Sequence, residues 1–378
     1  MKFRISRSAL TEAVSQVSKA VSQKTTVPIL TGIKVTVDED GLWLTGSNSD
    51  LTIQVTIPSK QDDKEIVNME RIGSVVLPGR IFSDIVRKLP GEEVEWVVDE
   101  RWKTTLRSAQ AQFELKGLDP EEYPQLPQLR EDQMFSMPAD LLQSLIRQTG
   151  FAVSTSEARG VLTGVLWQLQ EGTLTFVATD SHRLSRRQAE VETSAELTIQ
   201  NVVVPGKSLS ELAKILGDQN GWVDVVLSDN QIMVRADQLL FFSRLLEGTY
   251  PDTNRVIPQG GKTEVIASSK ELLQSVDRAA LISRDGRDNV IKCTLKEEGR
   301  VLIHSAAQDV GSVQEEVTAR IKGEEMSISF NAQYMLDALR AVDSDEIQIL
   351  FTGTMTPFVI QPADRDNALH LIVPIRTR

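Results

Sequence analysis

Residues 176–187 read FVATDSHRLSRR and contain residue types that could carry out hydrolysis. Asp180, Ser181 and His182 are the residue types that serve as acid, nucleophile and base in a catalytic triad, and here they are adjacent in the sequence. A triad needs its three side chains to converge, whereas neighbouring residues on extended backbone point in different directions. No G-x-S-x-G motif surrounds Ser181. The pattern favours a polar turn after a strand, with a hydrolase as the alternative.

Other patterns that could carry chemistry are weaker. The histidines are scattered singly, and no H-E-x-x-H or paired-cysteine spacing occurs. The segment GGKT (260–263) faintly resembles a phosphate loop, but the glycine required five positions before Gly261 is Val256. We therefore predict no catalytic site, no metal site and no cofactor.

Composition is that of an ordinary globular protein of two or three domains. The 378 residues are 40% hydrophobic and 25% charged, and no apolar run approaches the roughly 20 residues that span a bilayer. A single cysteine, Cys293, fits a reducing cytoplasm. The net charge of -12 argues against a nucleic-acid partner, although the distribution of charge matters more than its sum.

The elements that must position these residues repeat three times along the chain. LLQSLIR (141–147) returns as LLQSVDR (272–278), and FRISRSAL (3–10) aligns with the segment that precedes the first of these. Each copy predicts a short strand that leads into a helix with one apolar face. Ser268 and Glu271 predict a capping box at the start of the third such helix.

A second repeated segment predicts another helix in each copy. VVLPGRIFSDIVRKL (75–89) matches VVVPGKSLSELAKIL (202–216), and ISFNAQYMLDALRAV (328–342) follows. In each segment an apolar run enters a turn and then a short amphipathic helix. Hairpins with Asp-Gly, Glu-Gly and Glu-Gly-Arg turns lie between the two helices of each copy, at 31–50, 163–182 and 291–309.

These repeats predict an α+β fold of three tandem homologous domains, each with two helices backed by antiparallel sheet. Extended, proline-bearing linkers at 113–127 and 242–258 separate them. The predicted domains are 1–125, 126–255 and 256–378. Basic residues recur on the six repeated helices, while acidic runs lie in hairpins and linkers. This bias favours a shared basic surface that contacts phosphates without reading bases.

The chain resembles the β subunit of bacterial DNA polymerase III, the sliding-clamp family. The resemblance covers its whole length through the threefold repeat, the MKF start, VPIL (27–30), ATDSHRLS (178–185), YPDTNRVIP (250–258) and VPIR (373–376). It implies a ring-shaped head-to-tail dimer of the DNA-clamp type, whose twelve helices surround duplex DNA. Twelve helices about 10 Å apart trace a circle of roughly 38 Å, which leaves room for a duplex.

The same resemblance implies partners and residues. The partners are double-stranded DNA without sequence preference, a second copy of the chain, and short linear peptides of the replicative polymerase, the clamp loader and repair polymerases. The implied DNA-facing residues are Lys24, Arg80, Arg147 and Lys207. The implied partner-peptide pocket comprises Leu162, Thr179, Ser181, Arg183, Leu184, Pro251, Arg255, Val256, Leu371, Val373, Pro374, Ile375 and Arg376.

Several expectations follow from this assignment. The apolar C-terminus is expected to be exposed and mobile, because it would form one side of the pocket. Many family members carry glycine where this chain has Ser181, and some carry an aromatic pair where it has Gly160 and Val161. A triplicated protein-interaction scaffold that never meets DNA is the remaining alternative to a DNA-encircling ring.

Overall fold

The computed structural model describes residues 1–22, 25–61, 64–127, 133–193, 197–217, 221–284, 289–296 and 298–376. Two helices fall in each of the three repeats. In chain order they are α1 (Arg7–Val17), α2 (Gly79–Lys88), α3 (Ala139–Thr149), α4 (Gly206–Leu216), α5 (Ser269–Ser283) and α6 (Ala332–Ala341). Within the described residues, no helix has the length and apolar character that crossing a membrane requires.

The strands are short and antiparallel to their neighbours. As far as residue 190 they are β1 (Lys2–Ser6), β2 (Gly32–Val37), β3 (Gly41–Ser47), β4 (Leu51–Pro58), β5 (Lys60–Gln61), β6 (Lys64–Glu65), β7 (Val67–Arg71), β8 (Gly73–Pro78), β9 (Glu93–Val98), β10 (Lys103–Ser108), β11 (Ala111–Lys116), β12 (Met134–Pro138), β13 (Gly164–Gln170), β14 (Thr173–Thr179) and β15 (Arg183–Glu190). The rest are β16 (Ile199–Pro205), β17 (Trp222–Leu227), β18 (Gln231–Ala236), β19 (Leu239–Arg244), β20 (Thr263–Ser268), β21 (Val290–Lys296), β22 (Arg300–Ala307), β23 (Gly311–Lys322), β24 (Met326–Asn331), β25 (Glu346–Phe351), β26 (Phe358–Pro362) and β27 (Ala368–Ile372).

The chain divides into two compact units. The first comprises Met1–Asp140 and Lys214–Leu245, and the second comprises Leu141–Ala213 and Leu246–Arg378. The first contains a sheet of order β11-β10-β9-β1-β7 and a sheet of order β12-β17-β18-β19-β4-β3-β2-β8. The second contains one sheet of order β16-β13-β14-β15-β27-β26-β25-β20-β23-β22-β21-β24.

The hairpins lie where the sequence predicts them. β13 pairs with β14 around Glu171 and Gly172, whose φ angles of 49° and 80° give the left-handed pair that a two-residue hairpin turn requires. β2 pairs with β3 and β21 pairs with β22, antiparallel, at the other two copies. The α+β prediction with three related copies is therefore confirmed.

Helix ends follow the local sequence. The side chain of Ser268 accepts a hydrogen bond from the Glu271 N–H at 3.3 Å, which is one half of the predicted capping box. Asn331 caps α6 by accepting hydrogen bonds from two N–H groups of its first turn, at 2.9 and 3.2 Å. α5 and α6 pack against one another and bury Leu272, Val276 and Leu339 in a common core. These contacts give the third copy its own hydrophobic core.

Strand pairing joins neighbouring copies. β19 of the second copy pairs with β4 of the first, with Phe241 opposite Ile53. β27 of the third copy pairs with β15 of the second, with His370 opposite Ser185. The sheets therefore run through the predicted boundaries near 125 and 255, and the compact units do not follow them. The boundaries 1–125, 126–255 and 256–378 stay a prediction.

Candidate functional site

The turn between β14 and β15 is a side-chain-capped turn. Oδ1 of Asp180 accepts hydrogen bonds from the N–H groups of His182 and Arg183, at 2.9 and 3.0 Å. Ser181 takes a φ of 78°, and its Oγ accepts a hydrogen bond from Arg159 at 3.2 Å. The carboxylate is thus engaged by backbone and the serine by an arginine, so the three groups do not form the relay of a hydrolase.

Arg183 is held in place from several sides. Its Nε donates to Asp180 at 3.0 Å and its Nη1 donates to Asp337 of α6 at 2.5 Å. The guanidinium lies 4.6 Å from the centroid of the Tyr334 ring and 5.5 Å from that of Phe151. Only 12% of the side chain is exposed. Arg183 therefore fixes the turn against α6, and its charge is already neutralised by two carboxylates.

Sequence reasoning missed the α6 residues of this cluster. Asp337 is 154 positions from Arg183 in the chain, and no short-range pattern joins them. The only available signal was Tyr334, a partly apolar residue one position before the buried Met335 on an amphipathic helix. Pairing of β15 with β27 brings the turn close to α6, and that pairing is itself a long-range event.

An apolar cluster lies on the other side of β15. Leu184 stands opposite Leu371 in the strand pairing, and both are at most 3% exposed. Tyr250 packs in the same cluster, and its hydroxyl accepts a hydrogen bond from the Thr179 N–H at 3.1 Å. Leu162 is one of the partly buried residues packed against it. The structure thus brings four predicted pocket residues together, Leu162 and Val373 with Leu184 and Leu371 at the base.

The linker supplies the exposed part of the predicted pocket. Pro251 is exposed, and the aliphatic side chain of Val256 is 52% exposed. Arg255 is exposed and donates to Asp252 at 2.9 Å. Ser181 is also exposed. These residues share one feature, which is access to solvent.

The C-terminal segment departs from the expectation of a mobile, exposed tail. Leu371 is the penultimate residue of β27, and the Val373 N–H donates to the His182 carbonyl at 2.9 Å. The Ile375 N–H donates to the Ser329 carbonyl at 2.7 Å, and Pro374 is buried. Backbone hydrogen bonds therefore fasten the segment as far as Ile375, and only Arg376 is exposed among its described residues.

Comparisons with known proteins cover the whole chain. Models of the DNA polymerase III beta subunit match residues 1–127 (N-terminal domain), 136–252 (central domain) and 254–376 (C-terminal domain). The Beta sliding clamp of Bacillus subtilis is 49% identical over 378 residues and covers 100% of both chains. The chain belongs to the DNA polymerase III beta subunit family.

Solved structures of this family agree with the fold. The crystal structure of the DNA polymerase sliding clamp from Bacillus subtilis matches with a TM-score of 0.96 over 100% of both chains. The sliding clamp from Pseudomonas aeruginosa, 27% identical, still matches with a TM-score of 0.89 over 100% of both chains. The resemblance drawn from the sequence motifs is confirmed.

The predicted DNA-facing residues are exposed where they are described. Arg80 lies in the first turn of α2, Arg147 in the last turn of α3 and Lys207 near the start of α4. Lys207 is 88% exposed and pairs with Glu157 at 2.7 Å, which raises the pKa of the lysine. Lys24 lies outside the described residues.

Other helix cations of the clamp also have acidic partners. Arg87 pairs with Asp84 at 2.7 Å, and Arg340 pairs with Asp277 at 3.2 Å. Arg278 pairs with Glu315 at 2.5 Å. These partners reduce the positive potential that the sequence alone predicted for the helices, and contacts to phosphates are weakened accordingly.

His370 is a buried titratable residue at the β15–β27 junction. It is 1% exposed, and its Nδ1 lies 2.9 Å from Oγ of Ser185, which in turn donates to the Gln148 carbonyl at 2.5 Å. Nδ1 is therefore the donor to the serine, and the ring is neutral. Burial lowers the pKa of His370 from 6.5 to about 4.

The His370→Phe variant is expected to resist mild acid better than the parent chain. In the parent chain, His370 binds a proton more readily in the unfolded state than in the folded state. The free energy of unfolding of the parent therefore falls as the pH drops from about 6.5 towards about 4. Between pH 7 and pH 5 this group accounts for about 2 kcal/mol of that loss. Urea unfolding at the two pH values measures it, and an equal loss in parent and variant would exclude His370 as the cause.

Proposed function

We propose that two copies of this chain close head to tail into a ring that encircles duplex DNA and tethers the replicative polymerase to it. The ring performs no chemistry of its own, and it acts in the cytoplasm, where bacterial replication takes place. The family of the chain supports this proposal. The pattern of used and unused strand edges supports it independently.

Within the part of the chain that the structure describes, edge-to-edge pairing joins neighbouring copies twice. In each case the last strand of one three-stranded meander (β17–β19 or β25–β27) pairs with the last strand of a three-stranded meander in the preceding copy (β2–β4 or β13–β15). β19 adds to β4 through Phe241 and Ile53, and β27 adds to β15 through His370 and Ser185. The repeat therefore contains one edge that donates and one that accepts, and three copies leave one of each unused.

The unused edges belong to the first and third copies. Among the described residues β11 is the last strand of its sheet and pairs with β10 alone. Residues 311–318 of β23 pair with β22 on one side, and β20 occupies the other side only from Ala319 onward. A donor edge in the first copy and an acceptor edge in the third fit a head-to-tail dimer that closes on itself.

Repeat geometry supports one register for the proposed contact. Phe113 occupies the position of Phe241 and His370, and Val313 occupies that of Ile53 and Ser185. Phe241 and His370 are at most 1% exposed, whereas Phe113 remains partly exposed in the single chain. Pairing β11 with β23 of a second copy places Phe113 opposite Val313 and buries it as its counterparts are buried.

A weak electrostatic attraction between the protein and the DNA phosphates suits a ring of this kind. Topology retains the DNA, so the lining needs only enough positive charge to tolerate phosphates while permitting movement. Exposed Arg80 and Arg147 supply such charge, and the ion pair between Lys207 and Glu157 reduces the positive potential near α4. The net charge of -12 disfavours gripping DNA from outside.

The partner groove is assigned to the apolar cluster beside β15. A short extended peptide would place aliphatic side chains over Leu162, Val256 and Val373, while Ser181 and Arg376 form polar margins. Arg183 contributes by holding the turn in place. The 13 residues that the resemblance implies remain the proposed pocket, with Leu184, Leu371 and Pro374 as its buried base.

Retention on DNA of different topology tests the ring. The protein loaded on closed circular DNA should stay bound in a gel-filtration assay and should leave when a restriction enzyme linearises the circle. A groove binder held by charge would dissociate from circles and linear DNA alike as salt rises. A scaffold that never meets DNA would be recovered from neither.

A further inference from the structure

A cavity in the first unit has no role in the proposed ring. It has a volume of about 250 Å³ and lies between the β3–β4 turn and the linker that follows β11. Leu30 and Phe242, at 6% and 5% exposure, form apolar parts of its wall. Tyr123 and Pro124 of the linker close another side.

The repeat makes this cavity the counterpart of the partner groove. Asn48 accepts hydrogen bonds from the N–H groups of Asp50 and Leu51 at 2.8 and 2.9 Å, as Asp180 does in the equivalent turn. The buried Tyr123 anchors its linker by donating to two carbonyls, at 3.3 and 3.4 Å, and the buried Tyr250 anchors the next linker by accepting a hydrogen bond from the Thr179 N–H at 3.1 Å.

The correspondence extends to the walls. Leu30 stands at the repeat position of Leu162, because each is the first residue of the sequence LTG, at 30–32 and at 162–164. Phe242 pairs with Thr52 as Leu371 pairs with Leu184. The same four structural parts, a capped turn, a Tyr-Pro linker, a leucine and an added strand, therefore enclose both sites.

The cavity differs from the groove in the charges at its margin. Arg244 stands where the groove has Val373, and Asp50 stands where it has His182. Both charged side chains are exposed, and the Arg244 N–H donates to the Asp50 carbonyl at 2.8 Å. An occupant therefore meets an apolar wall flanked by one cation and one anion.

We propose that this cavity binds a second short, extended peptide of a partner protein, carrying an aliphatic side chain flanked by one acidic and one basic residue. The inference rests on the proposed function, since its counterpart is the proposed partner groove. The aliphatic side chain packs on Leu30 and Phe242, and the flanking charges face Arg244 and Asp50.

Fluorescence anisotropy of a labelled, terminally blocked peptide with the central sequence Asp-Leu-Lys tests the proposal. Binding to the full-length dimer is expected with a dissociation constant of about 1 mM or tighter. Arg244→Glu should weaken it at least tenfold, because the cation that faces the aspartate becomes an anion. Arg101→Glu changes another exposed arginine, outside the cavity, and serves as the matched control.

A third variant separates the two sites. Val373→Asp places a charge in the partner groove and should leave binding of this peptide unchanged. Loss in Arg244→Glu with retention in the other two variants supports the proposal, and any other pattern overturns it, including absence of binding to the parent chain. Retention on circular DNA is measured separately for each variant, so failure of the ring is distinguishable from failure of this site.

Discussion

Phe113→Asp is expected to convert the dimer into a monomer and to abolish retention on circular DNA. The substitution puts a carboxylate into the β11 edge at the position whose counterparts, Phe241 and His370, are buried at the two junctions within the chain. Losing a central aromatic contact costs about 2 kcal/mol or more at an interface. A closed ring of two chains has this contact twice, so dimerisation weakens by about three orders of magnitude.

Light scattering on the purified chain measures the change in mass, and the circular-DNA assay measures its consequence. Ile72→Asp is the matched control, because Ile72 is 60% exposed in the same unit and lies between β7 and β8, away from the β11 edge. The control should remain dimeric and retained. A Phe113→Asp chain that stays dimeric would exclude β11 from the closing contact.

Local sequence predicted the repeated parts of the fold because their causes are local. The hairpin at Glu171 and Gly172 follows from turn residues, and the start of α5 follows from Ser268 and Glu271. The same holds for the turn at Asp180, whose side chain bonds to backbone two and three residues onward. Short-range chemistry of this kind is readable without a partner segment.

Pairing between copies was not predictable in the same way. Nothing near Leu371 indicates that it lies opposite Leu184, because both positions are simply apolar until the strands meet. The expectation that the apolar C-terminus is exposed was wrong for this reason. The contact of Arg183 with Asp337 was missed because it, too, joins residues far apart in the chain. The family motifs supplied the list of pocket residues, while the structure separates buried ones from those open to a ligand.

That separation gives the sharpest test of the partner groove. Val256→Glu is expected to reduce binding of the replicative polymerase at least tenfold while the chain stays folded and dimeric. Val256 is 52% exposed, so the glutamate is solvated in the free clamp and costs the fold little. When a peptide covers it, the charge must be desolvated against apolar side chains, and that penalty falls on the complex alone.

Val310→Glu is the matched control, since Val310 is 49% exposed and lies in the turn between β22 and β23. Surface plasmon resonance with the polymerase immobilised compares the two variants with the parent, and thermal melting checks their stability. Equal affinity of the parent and the Val256→Glu variant for the polymerase would show that the linker is not part of the groove. Equal loss in both variants would point to charge at a distance, because only Val256 belongs to the proposed contact surface.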